Sequence, residues 1–499
     1  MFMPGVAHIA RVLVEHLRRQ QPELGITDRD IESVQIAGLC HDLGHGPWSH
    51  FWDGVFIPKA FPGSDWTHER GSEEMFKYLI SDNNIRMNED DAEFIMALIA
   101  GDHKRTPKEK KFLFDVVANR ESGLDVDKFE YIQRDSHMLG DPIKINISRI
   151  LESARVIDDH ICFDWKDLSK IYNIFESRFH LHERYYNHKT AKAIEYMLLD
   201  ALLFAEPTLH FAKNIENPTQ YLHLTDSIMQ FIQHSKDESL IKAQNIFSRI
   251  ECRDLYKCVD QQFIEWRSRD LVKEVTKEKI VNACKKIYGE SPPQAFPDIN
   301  IDELESAHVI VDQTPIHYGK GELNPIDFVN FYSRNDLSEL FIRSIFIVLI
   351  IVVAKCIKAL PGQYSTVKPR HFAEIILRVY TKEPQYFAIV QRGYRHVMAS
   401  LDFPIDATQP VPHNLTIRDS ESLSLAEKTS SYIENPFTKV PSVYVPLSLA
   451  RARTTKVSST GQATGSSPES PSRKRKIDDE ETEKGNDSEG DIEGKKPRH

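Results

Sequence analysis

Residues Cys40–Gly54 read CHDLGHGPWSHFWDG and hold three histidines and two aspartates, with His41 and Asp42 adjacent. The preceding ESVQIAGL repeats apolar residues at three and four, so a helix is predicted that ends where Gly44, Gly46 and Pro47 interrupt it. His41, Asp42 and His45 then occupy its last turn. Positions 41 and 45 share a face, and 42 lies about 100° round from 41. An imidazole and a carboxylate so placed can meet one cation, a ligand mix suited to Mn, Fe, Zn or Ni rather than to a thiolate site. His50 and Asp53 stand at helical spacing on the next segment, where a carboxylate would fix the imidazole tautomer and raise its pKa. That makes His50 a candidate proton donor. His68, in WTHERGS, opens a further helix, whose free backbone N–H groups favour anions. Each histidine alone would be an ordinary structural residue; together they indicate a reaction site.

Outward from this stretch, residues 6–290 keep the helical period in VAHIARVLVEHLRR, DAEFIMALIAGD and IEYMLLDALLFA. A mainly α body over 1–290 is predicted, then a smaller α+β lobe over 291–449, where prolines alternate with AHVIVD, FVNFY and HFAEIILRVY. Residues 450–499 are almost without apolar side chains and are expected to be a disordered tail. Within it SRKRK (472–476) and KKPR (495–498) read as basic import signals, which implies the nucleus, and Ser470 before Pro471 suits proline-directed phosphorylation. The formal charge of −11 over 499 residues excludes a surface coated with cations for indiscriminate nucleic-acid binding, so an anionic ligand needs a focused pocket. Six scattered cysteines without a CxxC pair suit a reducing compartment. The apolar run at 345–354 is too short for a bilayer, which takes about 20 residues, and reads as a buried strand or core segment.

Two further constellations carry chemistry. In GLDVDKFEYIQRD, Asp127, Tyr131, Arg134 and Asp135 fall on one helical stripe. The stripe suits a salt-bridged surface helix, or a site in which Asp127 completes a metal shell, Lys128 meets phosphate, and Tyr131 with Asp135 holds a sugar. In ESRFHLHERYYNHKTAK, Arg178, His182, Tyr186 and Lys189 lie near one face and Arg184 with His188 near another. Such cationic density in an acidic protein points to phosphate.

The run QPELGITDRDIESVQIAGLCHDLGHGPWSHFWDGVFIP, then WTHERGS, GLDVDKFEYIQRD, LHERYYNHK and NPIDFVNFY, closely resembles the vertebrate deoxynucleoside triphosphate triphosphohydrolases that carry a SAM domain and an HD domain. The resemblance implies a helical HD phosphohydrolase core that cleaves dNTPs to deoxynucleoside and triphosphate. It implies a divalent transition metal (Zn, Fe or Mn) on His41, Asp42 and Asp127, with Mg on the phosphates. His45 and His68 would contact phosphate, and His50, oriented by Asp53, would protonate the departing 5′ oxygen. Lys128, Tyr131 and Arg178 match triphosphate contacts, Asp135 the 3′-hydroxyl contact, Tyr186 the residue that crowds a ribose 2′-hydroxyl, and Asn187 the position near the base. Activation by GTP or dGTP and dNTP within a homotetramer is implied, with Arg149, Lys166, His188 and Lys189 as activator contacts. Control of dNTP pools, antiviral restriction and DNA repair are the implied biology.

Three departures qualify these expectations. The family's first metal histidine falls on Phe2, in MFMPGV where the pattern reads EHSLGV. His8 does not replace it, lying about 9 Å further along a helix axis. The SAM domain and part of the activator segment are not in the sequence, so a truncated product or incomplete gene model with impaired activity is expected. Leu340–Arg370 replaces a shorter, more polar family segment and reads as an alternative exon. A catalytically inactive regulatory isoform, or one binding single-stranded nucleic acid, is the second reading. A cyclic-nucleotide phosphodiesterase is the third, disfavoured by DVDKFEYIQRD and ERYYNHK.

Overall fold

Thr27 opens the helix that leads into the histidine-rich stretch: its side chain accepts from the Asp30 N–H, and the Asp30 carboxylate accepts from the Thr27 N–H at 2.8 Å. This reciprocal cap satisfies two otherwise orphaned donors and fixes the start of Asp28–Cys40. The computed structural model describes residues 3–291, 296, 299–333, 340–341, 351–352, 356–359, 369–401 and 403. All belong to a unit spanning Met1–Pro410; a second unit is Val411–His499. Phe2, the tail with its basic runs and Ser470, and the apolar run 345–354 lie outside the described residues, except that the short strand Ile351–Val352 pairs antiparallel with Leu340–Phe341.

The fold is mainly α. Helix Met3–Gln20 packs along Asp28–Cys40, and a Cβ added at Gly38 would stand 3.2 Å from the Ala7 Cα, so glycine permits the close approach. Phe94–Ile99 are all buried within helix Glu89–Ala100. With Val126–Met138 and Leu168–Leu181 these helices enclose one apolar core. A second core forms around Lys189–Leu209, where Met197, Ala201 and Leu202 pack with Trp52 and Phe56 from beyond the histidine stretch.

The α+β part holds a three-stranded antiparallel sheet in the order Lys257–Glu265, Ala373–Thr381, Val309–His317, and its strands Asn330–Tyr332 and Ile357–Lys358 join Arg155–Ile157 and His160–Asp164 in a separate four-stranded sheet. The central strand of the three reads AEIILRVYT and is buried at every position but Glu374, as expected of a strand flanked on both edges and covered by helices. Helices Lys277–Glu290 and Phe387–Ser400 supply that cover. The strand Lys257–Glu265 comes from before residue 290, so the sheet draws one edge from the segment predicted as helical body. Arg378 on the central strand meets Asp312 at 3.3 Å, both nearly inaccessible. Gln261 accepts from Arg378 Nε at 2.8 Å, and the Tyr196 hydroxyl donates to Asp312 at 2.9 Å. A buried ion pair costs desolvation unless its remaining valences are met; here they are met by groups that tie the sheet to helix Lys189–Leu209. No described helix is long and apolar enough to cross a membrane.

Candidate active site

The helix before the histidine stretch ends at Cys40, and His41–Gly44 continue as a turn. His41 Nδ1 lies 2.9 Å from the Gly38 carbonyl, which can only accept, so Nδ1 carries a proton and Nε2 is the nitrogen left to meet a cation in place of a second proton. Nε2 lies 3.2 Å from Asp42 Oδ2 and 3.5 Å from Asp127 Oδ1. Nε2 is buried yet makes no hydrogen bond of adequate geometry with either. Burial opposes charge on His41, but Asp127 and Asp42 outweigh it and push the imidazole up to about 10. Burial also opposes charge on Asp42, and His41 and His45 outweigh it and hold that carboxyl well below the usual range. Two carboxylates converging on an orphaned imidazole nitrogen are a donor set for a divalent cation. Asp127 reaches this point because Asp125 caps helix Val126–Met138, accepting from the Lys128 N–H at 3.2 Å. His8 is exposed on the first helix and takes no part.

Three imidazoles cluster beside this group. His45 and His68 stack at 4.2 Å, and His50 stands edge-on to them at 4.7 and 5.0 Å. Gly44 makes this possible: a Cβ there would fall 2.1 Å from the His68 carbonyl and 2.3 Å from the Ser72 nitrogen. Trp48 and Ser49 both take left-handed backbone conformations, at φ 56° and 57°, before His50 begins the next helix. Such positions cost about 1–3 kcal/mol each. Asp53 does not pair closely with His50, which is 4.0 Å away; its close partner is His68 Nδ1 at 2.5 Å. The reason is local: Trp52–Phe56 forms a π turn, wider than an α turn, which swings Asp53 off the expected i, i+3 alignment. Burial opposes charge on His68, but Asp53 and Glu69 outweigh it and hold the imidazole above its ordinary value. Desolvation and then the charges of His45 and His68 lower the His50 pKa. Asp53 Oδ1 is buried without a hydrogen-bond partner and remains available to His50.

Lys128, Arg178, Tyr186 and Asp135 are each held by neighbouring groups. Lys128 Nζ sits 3.3 Å from Asp125; burial opposes its charge, and Asp125 outweighs it, so Lys128 stays protonated. Arg178 Nη1 donates to the His317 carbonyl at 2.8 Å. The Tyr186 hydroxyl donates to Asp135 at 2.5 Å, and Arg134 holds the other Asp135 oxygen, so the two residues expected at the sugar touch each other. Burial pushes the Tyr131 hydroxyl up, keeping it neutral. Burial, then Arg178, His317, His50 and Lys128, drive the His182 imidazole down to about 3.

Residues 4–143 match the HD domain. Over 453 residues the chain is 35% identical to the deoxynucleoside triphosphate triphosphohydrolase SAMHD1 of Gallus gallus, covering 83% of this chain and 70% of that protein. It is 36% identical over 414 residues to SAMHD1 of Bos taurus, covering 76% and 66%. It is 32% identical over 400 residues to the SAMHD1 homolog of Dictyostelium discoideum, covering 79% and 70%. The chain belongs to the HD-domain deoxynucleoside triphosphate triphosphohydrolases. It spans about two thirds of the length of these relatives.

The HD match takes in His41, Asp42, His45, His50, Asp53, His68, Asp127, Lys128, Tyr131 and Asp135, whereas Arg178, Tyr186 and Asn187 lie beyond it. An HD domain implies a divalent metal, and the His41, Asp42 and Asp127 donors are grouped to hold one. Asn187 is buried, and its amide donates to the His182 carbonyl at 2.9 Å, closing the π turn His182–Tyr186. Of the residues expected at activator sites, Arg149 lies 3.6 Å from buried Asp167, Lys166 is exposed, and His188 caps helix Lys189–Leu209. The sequence reading did not single out Asp125, Glu69 or His317. Asp125 was findable as the acidic residue just before a helical period; His317 carries no local signal.

Proposed function

We propose that this chain is a metal-dependent dNTP triphosphohydrolase that releases inorganic triphosphate from substrates such as dGTP. The observation that carries the reading is the orphaned, buried His41 Nε2, tautomer-locked by Gly38 and facing Asp42 and Asp127. A divalent cation held by these three residues would supply Lewis-acid polarisation at the α-phosphate. His45 and His68 stack where phosphate oxygens would lie, with Asp53 holding the His68 ring. His50, at the cleft mouth, is the proton donor to the 5′ oxygen; triphosphate beside it offsets the charges that depress its pKa. Lys128 and Arg178 neutralise the phosphate chain. The Tyr186–Asp135 pair receives the deoxyribose, Asp135 at the 3′-hydroxyl and the Tyr186 ring where a 2′-hydroxyl would stand.

The finer reading places Mg on the phosphates. GTP or dGTP and dNTP act as activators through Arg149, Lys166, His188 and Lys189 in a homotetramer. A nuclear role in dNTP-pool control, antiviral restriction and DNA repair completes it. Phe2 at the family's first metal histidine supports a second reading, an inactive regulatory or single-strand-binding isoform. A dGTP assay with quantified metal separates them: released triphosphate supports the first, an inert chain free of metal the second.

A further inference from the structure

His317 ends the strand Val309–His317, and the turn that follows is fixed on the helix carrying Arg178. Tyr318 is buried and stacks on Phe179 at 4.6 Å, and its N–H donates to the Phe372 carbonyl at 3.0 Å. Gly319 takes φ +127°, which glycine alone adopts comfortably, and a Cβ there would meet Phe175 at 3.5 Å. Arg178 Nη1 donates to the His317 carbonyl, so the backbone of this turn sets the reach of the guanidinium.

The His317 ring is oriented just as firmly. Nδ1 accepts from the Gly319 N–H at 2.9 Å, and a nitrogen that accepts from an N–H carries no proton. The ring proton of neutral His317 is therefore on Nε2, and no described residue accepts from it. Arg178, whose Nη1 is held 2.8 Å from the His317 carbonyl, is the cation that acts on the ring, and both bear on His182. A neutral N–H donor held beside an arginine, with its acceptor unprovided, fits an anion.

We propose that His317 donates from Nε2 to the phosphate chain of the bound nucleotide, beside Arg178. The contact rests on the triphosphohydrolase reading and makes the sheet lobe a direct contributor to substrate binding. His317→Ala removes the ring and leaves the carbonyl that holds Arg178, and His317→Gln keeps an N–H donor. The test is calorimetric binding of inorganic tripolyphosphate and, separately, deoxyguanosine to the full chain, with KM and kcat for dGTP and melting temperature as companions. Expected for His317→Ala is roughly tenfold weaker tripolyphosphate binding, the scale of one hydrogen bond to a charged group. KM should rise in parallel, deoxyguanosine binding and melting temperature should hold, and His317→Gln should recover most of the loss. Unchanged tripolyphosphate binding in His317→Ala, equal loss of both ligands, or no tripolyphosphate binding by the unaltered chain would overturn the proposal. If the unaltered chain binds tripolyphosphate but releases none from dGTP, the hydrolase reading fails while the His317 comparison still decides the contact.

Discussion

His41 Nε2 stands 3.5 Å from Asp127 Oδ1, a juxtaposition of the turn after one helix and the first turn of another. Both helices are capped by side chains, Thr27 for the first and Asp125 for the second. The donor set is thus a product of the fold, and ligand removal should show it. His41→Ala or Asp127→Asn should reduce bound metal, measured by elemental analysis after equilibration with Mn or Zn, by more than the ~10–100-fold typical of outer partners. Phe2→His, which places a histidine where the resemblance implies the first metal ligand, should raise affinity.

Gly44 has no room for a side chain. Gly44→Ala should lower unfolding stability by roughly 1–3 kcal/mol through overpacking, measured by denaturant melts, and should depress activity by displacing the His45–His68 stack.

The pH dependence of stability follows from His182. Its folded pKa is about 3, below its ordinary 6.5, so between these values the unfolded chain binds a proton that the native cleft refuses. Stability should therefore fall as pH drops from about 6.5 towards 3, and His182→Gln should flatten that slope in melts across this range. Tripolyphosphate should reverse the effect, because an anion favours the charged imidazole.

Much of this was readable in the sequence, and the misses share a cause. The nearness of His41 and Asp42 follows from their adjacency and the helical body from apolar periodicity, whereas Asp127 beside them was implied by the family resemblance, its own stripe suiting a surface helix as well. The Asp53 partner did not follow, because Trp48 and Ser49 are left-handed and Trp52–Phe56 is a π turn, none of which has a composition signal. His317 reaches Arg178 only through the register of strands distant in sequence, which no local pattern encodes.

Sugar selectivity should reside in the Tyr186 ring. Tyr186→Ala should narrow the preference for dGTP over GTP as substrate by about 10–100-fold, compared as kcat/KM. Tyr186→Phe should keep the ring, lose the 2.5 Å bond to Asp135, and retain most of the discrimination.

The most direct measurement is phosphate-product analysis of dGTP incubated with the metal-loaded chain and with His41→Ala, with and without GTP. The account requires intact inorganic triphosphate and deoxyguanosine from the loaded chain and neither from the variant. Pyrophosphate or orthophosphate as the first product, or equal triphosphate release by His41→Ala, would contradict it.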